Sequence, residues 1–186
     1  MCAIMKSALF PQPALIAILL LLSLTLPARE IPAAEVGTDI GMLAPSFELK
    51  DLSGKTVTLS DYRGKVVLLN FWSTLCAPCV AEMPSLNRLH DALRDKGFHV
   101  IAVSIDGPDR PVKNFVSEKR IAFTVLRDPE KEVFFDLYAG PSLPASYLID
   151  KSGAIAGKEN GSREWDSPEI KKEIMKLLKK DEWRGL

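Results

Sequence analysis

The sequence predicts an α/β domain built on a central mixed β-sheet with helices on both faces. Three observations carry this. Two apolar runs, Val66 to Trp72 and Phe98 to Ile105, flank a helical pattern, which gives a parallel, right-handed strand–helix–strand unit. Ala145 to Ile149 and Gly153 to Gly157 flank the turn signal Asp150-Lys151-Ser152-Gly153, so they read as an antiparallel hairpin closing the sheet. A terminal helix follows, and helices at both ends of the pattern can cover both sheet faces.

The chain starts with a segment that is not part of the fold. Ala14 to Leu26 is an uncharged run of 13 residues behind Lys6. A membrane span needs about 20 residues, so this length fits a secretory apolar region better. Ala28 and Ala33-Ala34 are candidate cleavage sites, none with a clean small-x-small pattern. Residues 1–34 are therefore read as a signal peptide or an N-terminal membrane anchor, and 35–186 as one folded domain. Removing Lys6, Arg29 and Glu30 with that segment takes 24 basic and 24 acidic residues to 22 and 23. Such a balance gives no reason to expect nucleic acid or an anionic surface as partner. Cys2 falls in the removed segment before its apolar run, so it is incidental and Cys76 and Cys79 are the cysteines of the domain.

Phe47 to Lys50 and Thr56 to Leu59 read as an edge hairpin across Asp51 to Lys55, and Ser60 to Lys65 as a turn. The first helix is expected from Ala77 to about Lys96, with Met83, Leu86, Leu89 and Leu93 on one face. Pro84 should kink it by removing a hydrogen bond. Val112, Phe115 and Val116 mark a second helix, Ala122 to Leu126 a short strand, and Asp128-Pro129 a short helix through Phe134, Phe135 and Leu137. Ser167 is a good N-cap with Pro168 at the first helical position, and Ile170, Ile174, Leu177 and Leu178 give the terminal helix its buried face.

The chemistry sits where strand Val66 to Trp72 hands over to the first helix, at Cys76-Ala77-Pro78-Cys79. Unpaired N–H groups and the dipole at a helix start favour thiolate over thiol. The two-residue spacer lets the second sulfur reach the first. Pro78 suits the first turn, where its missing N–H costs nothing. Cys76 is thus assigned as attacking nucleophile and Cys79 as resolving thiol. Zinc would need four ligands, and beyond these two the sequence offers Cys2 and two scattered histidines. A static disulfide closing so short a loop constrains the unfolded chain little. Two inert buried cysteines would not need this strand-to-helix placement. In an oxidising compartment, one close pair reads as a working dithiol rather than a scaffold staple.

Phe71-Trp72, Cys76-x-x-Cys79 and Glu82-x-Pro84, together with Ala44-Pro45-Ser46-Phe47 and Ser60-Asp61-Tyr62-Arg63-Gly64-Lys65, resemble the TlpA/ResA-type reductases of the thioredoxin superfamily. The resemblance runs from about Gly41 to the C-terminus. It implies a thioredoxin-like fold with an extra N-terminal β-hairpin and a central insertion. It implies an extracytoplasmic enzyme, in the periplasm, secreted or tethered to the inner membrane by its N-terminal segment. The substrate would be a protein disulfide, with apocytochrome c in cytochrome c maturation as the usual one. A membrane electron-donor thiol protein would return the electrons. No cofactor and no metal are expected.

The same resemblance nominates neighbours of the dithiol. Pro144, before Tyr147-Leu148-Ile149-Asp150, matches the cis-proline beside the sulfurs, where Leu143 would present its backbone to substrate. Glu82, three residues after Cys79, matches a buried glutamate that helps proton transfer; read bottom-up, it is an early-turn carboxylate one helical turn from the resolving thiol. Trp72 is read as core beside the site and, with Leu75, Ala77, Pro78 and Leu143, is counted among the substrate-binding residues. Thioredoxin itself has an acidic residue where Asn70 stands, so Glu82 must act alone. Many relatives have Trp where Leu75 stands. The Ala-Pro spacer lacks a histidine, which points to a reducing potential nearer about −270 mV than an oxidant's −120 mV.

His90 and His99 lie apart and read as packing or surface residues, and Trp165 and Trp183 carry no evident chemistry. Two other functions compete. Ser73-x-x-Cys76 echoes the Thr-x-x-Cys of a peroxiredoxin-type thiol peroxidase, but Leu69 stands where its proline belongs and Pro144 where its arginine belongs. A Cu(I)-handling thioredoxin-fold protein could use two thiolates, though such carriers have a three-residue cysteine spacer and a distant histidine.

Overall fold

The computed structural model describes residues 35–179. The segment 1–34 read as signal or anchor, and Trp183, lie outside them. Among the described residues no helix is long and apolar enough to cross a membrane.

Among the described residues, seven strands form one mixed sheet. In chain order they are β1 (Glu48–Asp51), β2 (Thr56–Thr58), β3 (Val66–Trp72), β4 (Phe98–Ser104), β5 (Thr124–Arg127), β6 (Ala145–Ile149) and β7 (Ile155–Asn160). Their order across the sheet is β2-β1-β5-β4-β3-β6-β7. The helices are α1 (Ala77–Leu93), α2 (Asp109–Glu118) and α3 (Pro168–Lys179). Gly97, at φ 88°, closes the 3-10 turn that follows α1. α1 runs through Pro84 without a break in the assigned helix. The expected edge hairpin is present, and it pairs antiparallel with β5 at the far side of the sheet from β3.

β3 is buried at every position because it has a neighbour on each side and a core on each face. It pairs parallel with β4 from Val66↔Phe98 to Trp72↔Ser104, and antiparallel with β6 from Val67↔Ile149 to Phe71↔Ala145. This register sets the C-terminal end of β3 beside the N-terminal end of β6. The chain leaves the first toward Cys76 and enters the second from Pro144.

Alternation along β3 divides the core. Val66, Leu68 and Trp72 pack with Met83, Leu86 and Leu89 of α1, Val112 of α2, and Ile170, Ile174 and Leu178 of α3. Val67, Leu69 and Phe71 pack on the other face with Phe134, Tyr138 and Tyr147. That face is covered by the 3-10 turn Leu59–Tyr62 and the π-helical turn Val133–Leu137. The Asp128-Pro129 helix expected from sequence is thus this single π turn, held at its start by the Phe134 N–H donating to Asp128. Gly140 allows the chain to pass over the Phe134 ring, where a Cβ would fall 2.0 Å from Cε2.

Candidate active site

Cys76 is the N-cap of α1, and its sulfur accepts the Cys79 N–H at 3.3 Å. The two residues form a disulfide, with Cα atoms 5.2 Å apart. Pro78 falls in the first turn, as a helix start favours. Cys76 is half-buried, whereas Cys79 has no exposed surface. Solvent therefore reaches the first residue of the pair and not the second.

Glu82 lies one turn further into α1 and is 2% exposed. Asn70 Nδ2 donates to its Oε1 at 2.8 Å. Its Oε2 accepts from the Trp165 indole N–H at 2.9 Å and from the Arg163 backbone N–H at 3.1 Å. Burial is the largest influence and lifts the carboxyl pKa above its ordinary value, with Glu159 adding to it. The three hydrogen bonds oppose this without cancelling it. Asn70 also donates to Ser146 Oγ at 2.9 Å, which ties β3 to β6 beneath the helix; among the described residues its Oδ1 has no hydrogen-bond partner.

The loop before Cys76 is held from the other side. Asp106, just beyond β4, accepts from Ser73 Oγ at 2.9 Å, Thr74 N at 3.0 Å, Thr74 Oγ1 at 2.8 Å and Ser104 Oγ at 2.7 Å. Burial alone would raise its pKa, but these donors outweigh it and hold the carboxyl below its ordinary value. Arg127 closes the cluster, donating to the Asp106 and Gly107 carbonyls and pairing with Asp109 at 3.1 Å. Ser73 and Arg127, the side chains nearest in type to a peroxidase's donors, are both committed to this cluster.

The structure brings Cys76, Cys79 and Glu82 together on α1 and places Pro144 at the adjoining strand end. The Leu143–Pro144 peptide is cis. Leu143 is half-buried and packs on the same core cluster as Cys76. Leu75 is 92% exposed, and Ala77 and Pro78 are exposed beside it. Trp72 requires a correction as a substrate-binding residue. It is fully buried, its ring 5.1 Å from Phe115, because it shares the α1-facing side of β3 with Leu68.

Trp165 also departs from expectation, since its indole is a direct partner of Glu82. Nothing in the local sequence marks it, as the contact spans 83 positions. Asn70 did carry a signal, being the one polar residue in Val66–Trp72. Asp106 and Ser146 carry no local signal of this kind. The histidines pack as expected: His90 is buried with its ring centroid 6.0 Å from Phe123, and His99 sits 5.4 Å from Tyr62. Among the described residues, no group of three or more His, Cys, Asp or Glu side chains is placed to hold a metal ion.

Comparison with known proteins places the chain among thiol-disulfide oxidoreductases in sequence and fold. The AhpC/TSA family model matches residues 40–158. The thiol-disulfide oxidoreductase ResA of Bacillus thuringiensis subsp. konkukian is 39% identical over 142 residues, which cover 76% of this chain and 78% of that one. A Chlorobium tepidum protein assigned as the thiol:disulfide interchange protein DsbE superposes with a TM-score of 0.70 at 34% identity, over 76% of this chain and 99% of that one. The thioredoxin domain of a thiol-disulfide oxidoreductase from Bacteroides vulgatus gives 0.67 at 28% identity, over 75% and 98%.

Proposed function

Because this chain belongs to the AhpC/TSA family and, within its thioredoxin-like members, to the ResA-type thiol-disulfide oxidoreductases, we propose that it reduces protein disulfides outside the cytoplasm. The observation that carries this is the pairing of an outward Cys76 with a sealed Cys79 backed by a buried carboxyl.

In the reduced enzyme, Cys76 thiolate attacks one sulfur of a substrate disulfide. A Cys76–substrate disulfide forms and the other substrate sulfur leaves as a thiolate, which takes up a proton. Cys79 then passes its proton to the Glu82 carboxylate and attacks the Cys76 sulfur. The second substrate sulfur leaves, and the two electrons of the dithiol have moved to the substrate. The enzyme is left with the Cys76–Cys79 disulfide, the state present here. Leu75, Ala77, Pro78 and Leu143 form the apolar rim that meets the substrate chain. Glu82 suits its part because burial raises its affinity for a proton.

A membrane thiol protein would reduce the disulfide again, and apocytochrome c is the proposed substrate. The apolar run Ala14 to Leu26 supports export, by a cleaved signal or a retained anchor. The potential of the dithiol tests the direction of flow. After equilibration with glutathione or a lower-potential dithiol buffer, a value below about −220 mV supports reduction, and one above about −150 mV overturns it in favour of disulfide formation or isomerisation.

A further inference from the structure

The segment Arg163–Asp166 crosses α1 and grips one face of it, at positions 82, 85 and 88. Arg88 donates to Asp166 and to Glu164, each at 2.6 Å. Ser85 Oγ accepts the Trp165 N–H at 3.0 Å and itself donates to the Glu82 carbonyl at 2.8 Å. The first residue in this series is Glu82, whose Oε2 takes both the Arg163 N–H and the Trp165 indole N–H. Trp165 is 5% exposed, so its ring shields the carboxyl from water while its nitrogen holds it. The segment is thus a strap fastened at its outer edge, with the buried indole N–H of Trp165 aimed at the carboxyl beneath.

We propose that Trp165 is a positioning residue for the proton step, setting through its indole N–H how readily Glu82 gives up and accepts a proton beside Cys79. This rests on the reading of Glu82 as the proton carrier. The indole donates to a carboxylate more strongly than to a neutral carboxyl, so it favours the proton-free form and makes Glu82 a competent acceptor. Burial acts in the opposite sense. The strap supplies both effects, one through its bulk and one through its nitrogen. The other groups facing Glu82 share in this balance: Asn70 and the Arg163 N–H act in the same sense as the indole, and Glu159 acts with burial. Asn70 and the Arg163 amide carry no charge, Glu159 on β7 is paired with the Arg163 guanidinium at 2.7 Å, and Cys79 is the thiol being served.

The test is Trp165→Phe, which keeps an aromatic cover and deletes the donor. The Glu82 carboxyl carbon is titrated by NMR in reduced, ¹³C-glutamate-labelled protein, alongside the pH profile of mixed-disulfide resolution. The variant is expected to bind the Glu82 proton about tenfold more tightly, because a hydrogen bond to a charged group has been removed. The resolution profile should move to higher pH by the same factor. In a Glu82→Gln background, Trp165→Phe should leave the profile where it is.

An unchanged Glu82 midpoint in Trp165→Phe overturns the role of Trp165 alone. A resolution profile indifferent to Glu82→Gln overturns the carrier reading, and this proposal falls with it. Should Trp165→Phe not fold, the unaltered protein gives the same answer. The Trp165 indole proton resonance, assigned by triple-resonance NMR, should move with the Glu82 midpoint, and a resonance constant through that titration overturns the proposal.

Discussion

Thr74 gives both its backbone N–H and its hydroxyl to the Asp106 carboxylate, at 3.0 and 2.8 Å. Thr74 stands two residues before the nucleophile and Asp106 two residues beyond β4. The loop that presents Cys76 is therefore anchored to the strand next to its own. Asp106→Ala would leave buried donors from Ser73, Thr74 and Ser104 without their acceptor. It should lower stability by about 2–4 kcal/mol, seen as a lower urea midpoint at unchanged slope.

Asp106 and Glu82 should show opposite pH signatures. The folded pKa of Asp106 is depressed, so its contribution is fully present above the ordinary value of 3.8 and is lost as pH falls through the folded value. The folded pKa of Glu82 is raised, so its contribution is present below the ordinary value of 4.5 and is lost as pH rises through the folded value. Urea midpoints of the oxidised protein, taken upward from pH 4.5, should fall across the Glu82 window. Glu82→Gln should flatten that fall, and an equal fall in the variant would count against the buried-carboxyl account.

Glu82→Gln should also slow resolution. Removing the proton acceptor is expected to cost about 10²-fold in the rate at which Cys79 displaces substrate from Cys76. Stopped-flow mixing with a fluorescent disulfide peptide reads the first attack and the resolution separately. The first attack should be little altered.

Exposure should separate the two thiols. In the reduced protein, iodoacetamide is expected to reach Cys76 at least about tenfold faster than Cys79, which has no exposed surface. Peptide mass mapping of a short labelling pulse decides it, and equal labelling would contradict the assigned roles.

Leu75 should matter to substrate and not to the fold. At 92% exposure, Leu75→Asp is expected to change stability by no more than about 0.5 kcal/mol. Losing its apolar contact should raise KM for a peptide disulfide flanked by apolar residues by about tenfold. A stability loss without a KM change would show that Leu75 belongs to the core after all.

Much of this was legible because β3 and α1 announce themselves locally. Val66–Trp72 is an unbroken apolar run apart from Asn70, and Cys76 to Pro78 is a helix start by composition alone. The surroundings of Glu82 were hidden for the opposite reason. Trp165 and Arg163 reach it across 83 and 81 positions, and no local pattern announces a strap. Trp72 was open to a better reading, since strand alternation sets it with Leu68, toward α1 and away from solvent. That β1 would join β5 depended on strand order, which hairpin chemistry leaves undetermined.

The sealed position of Cys79 has a kinetic meaning. Every partner, oxidised or reducing, must make its covalent bond to the same sulfur, and two cannot be held at once. Donor and acceptor take turns at Cys76, each leaving before the next arrives. Turnover should follow ping-pong kinetics, with parallel lines in double-reciprocal plots and each partner acting as a competitive inhibitor of the other at high concentration.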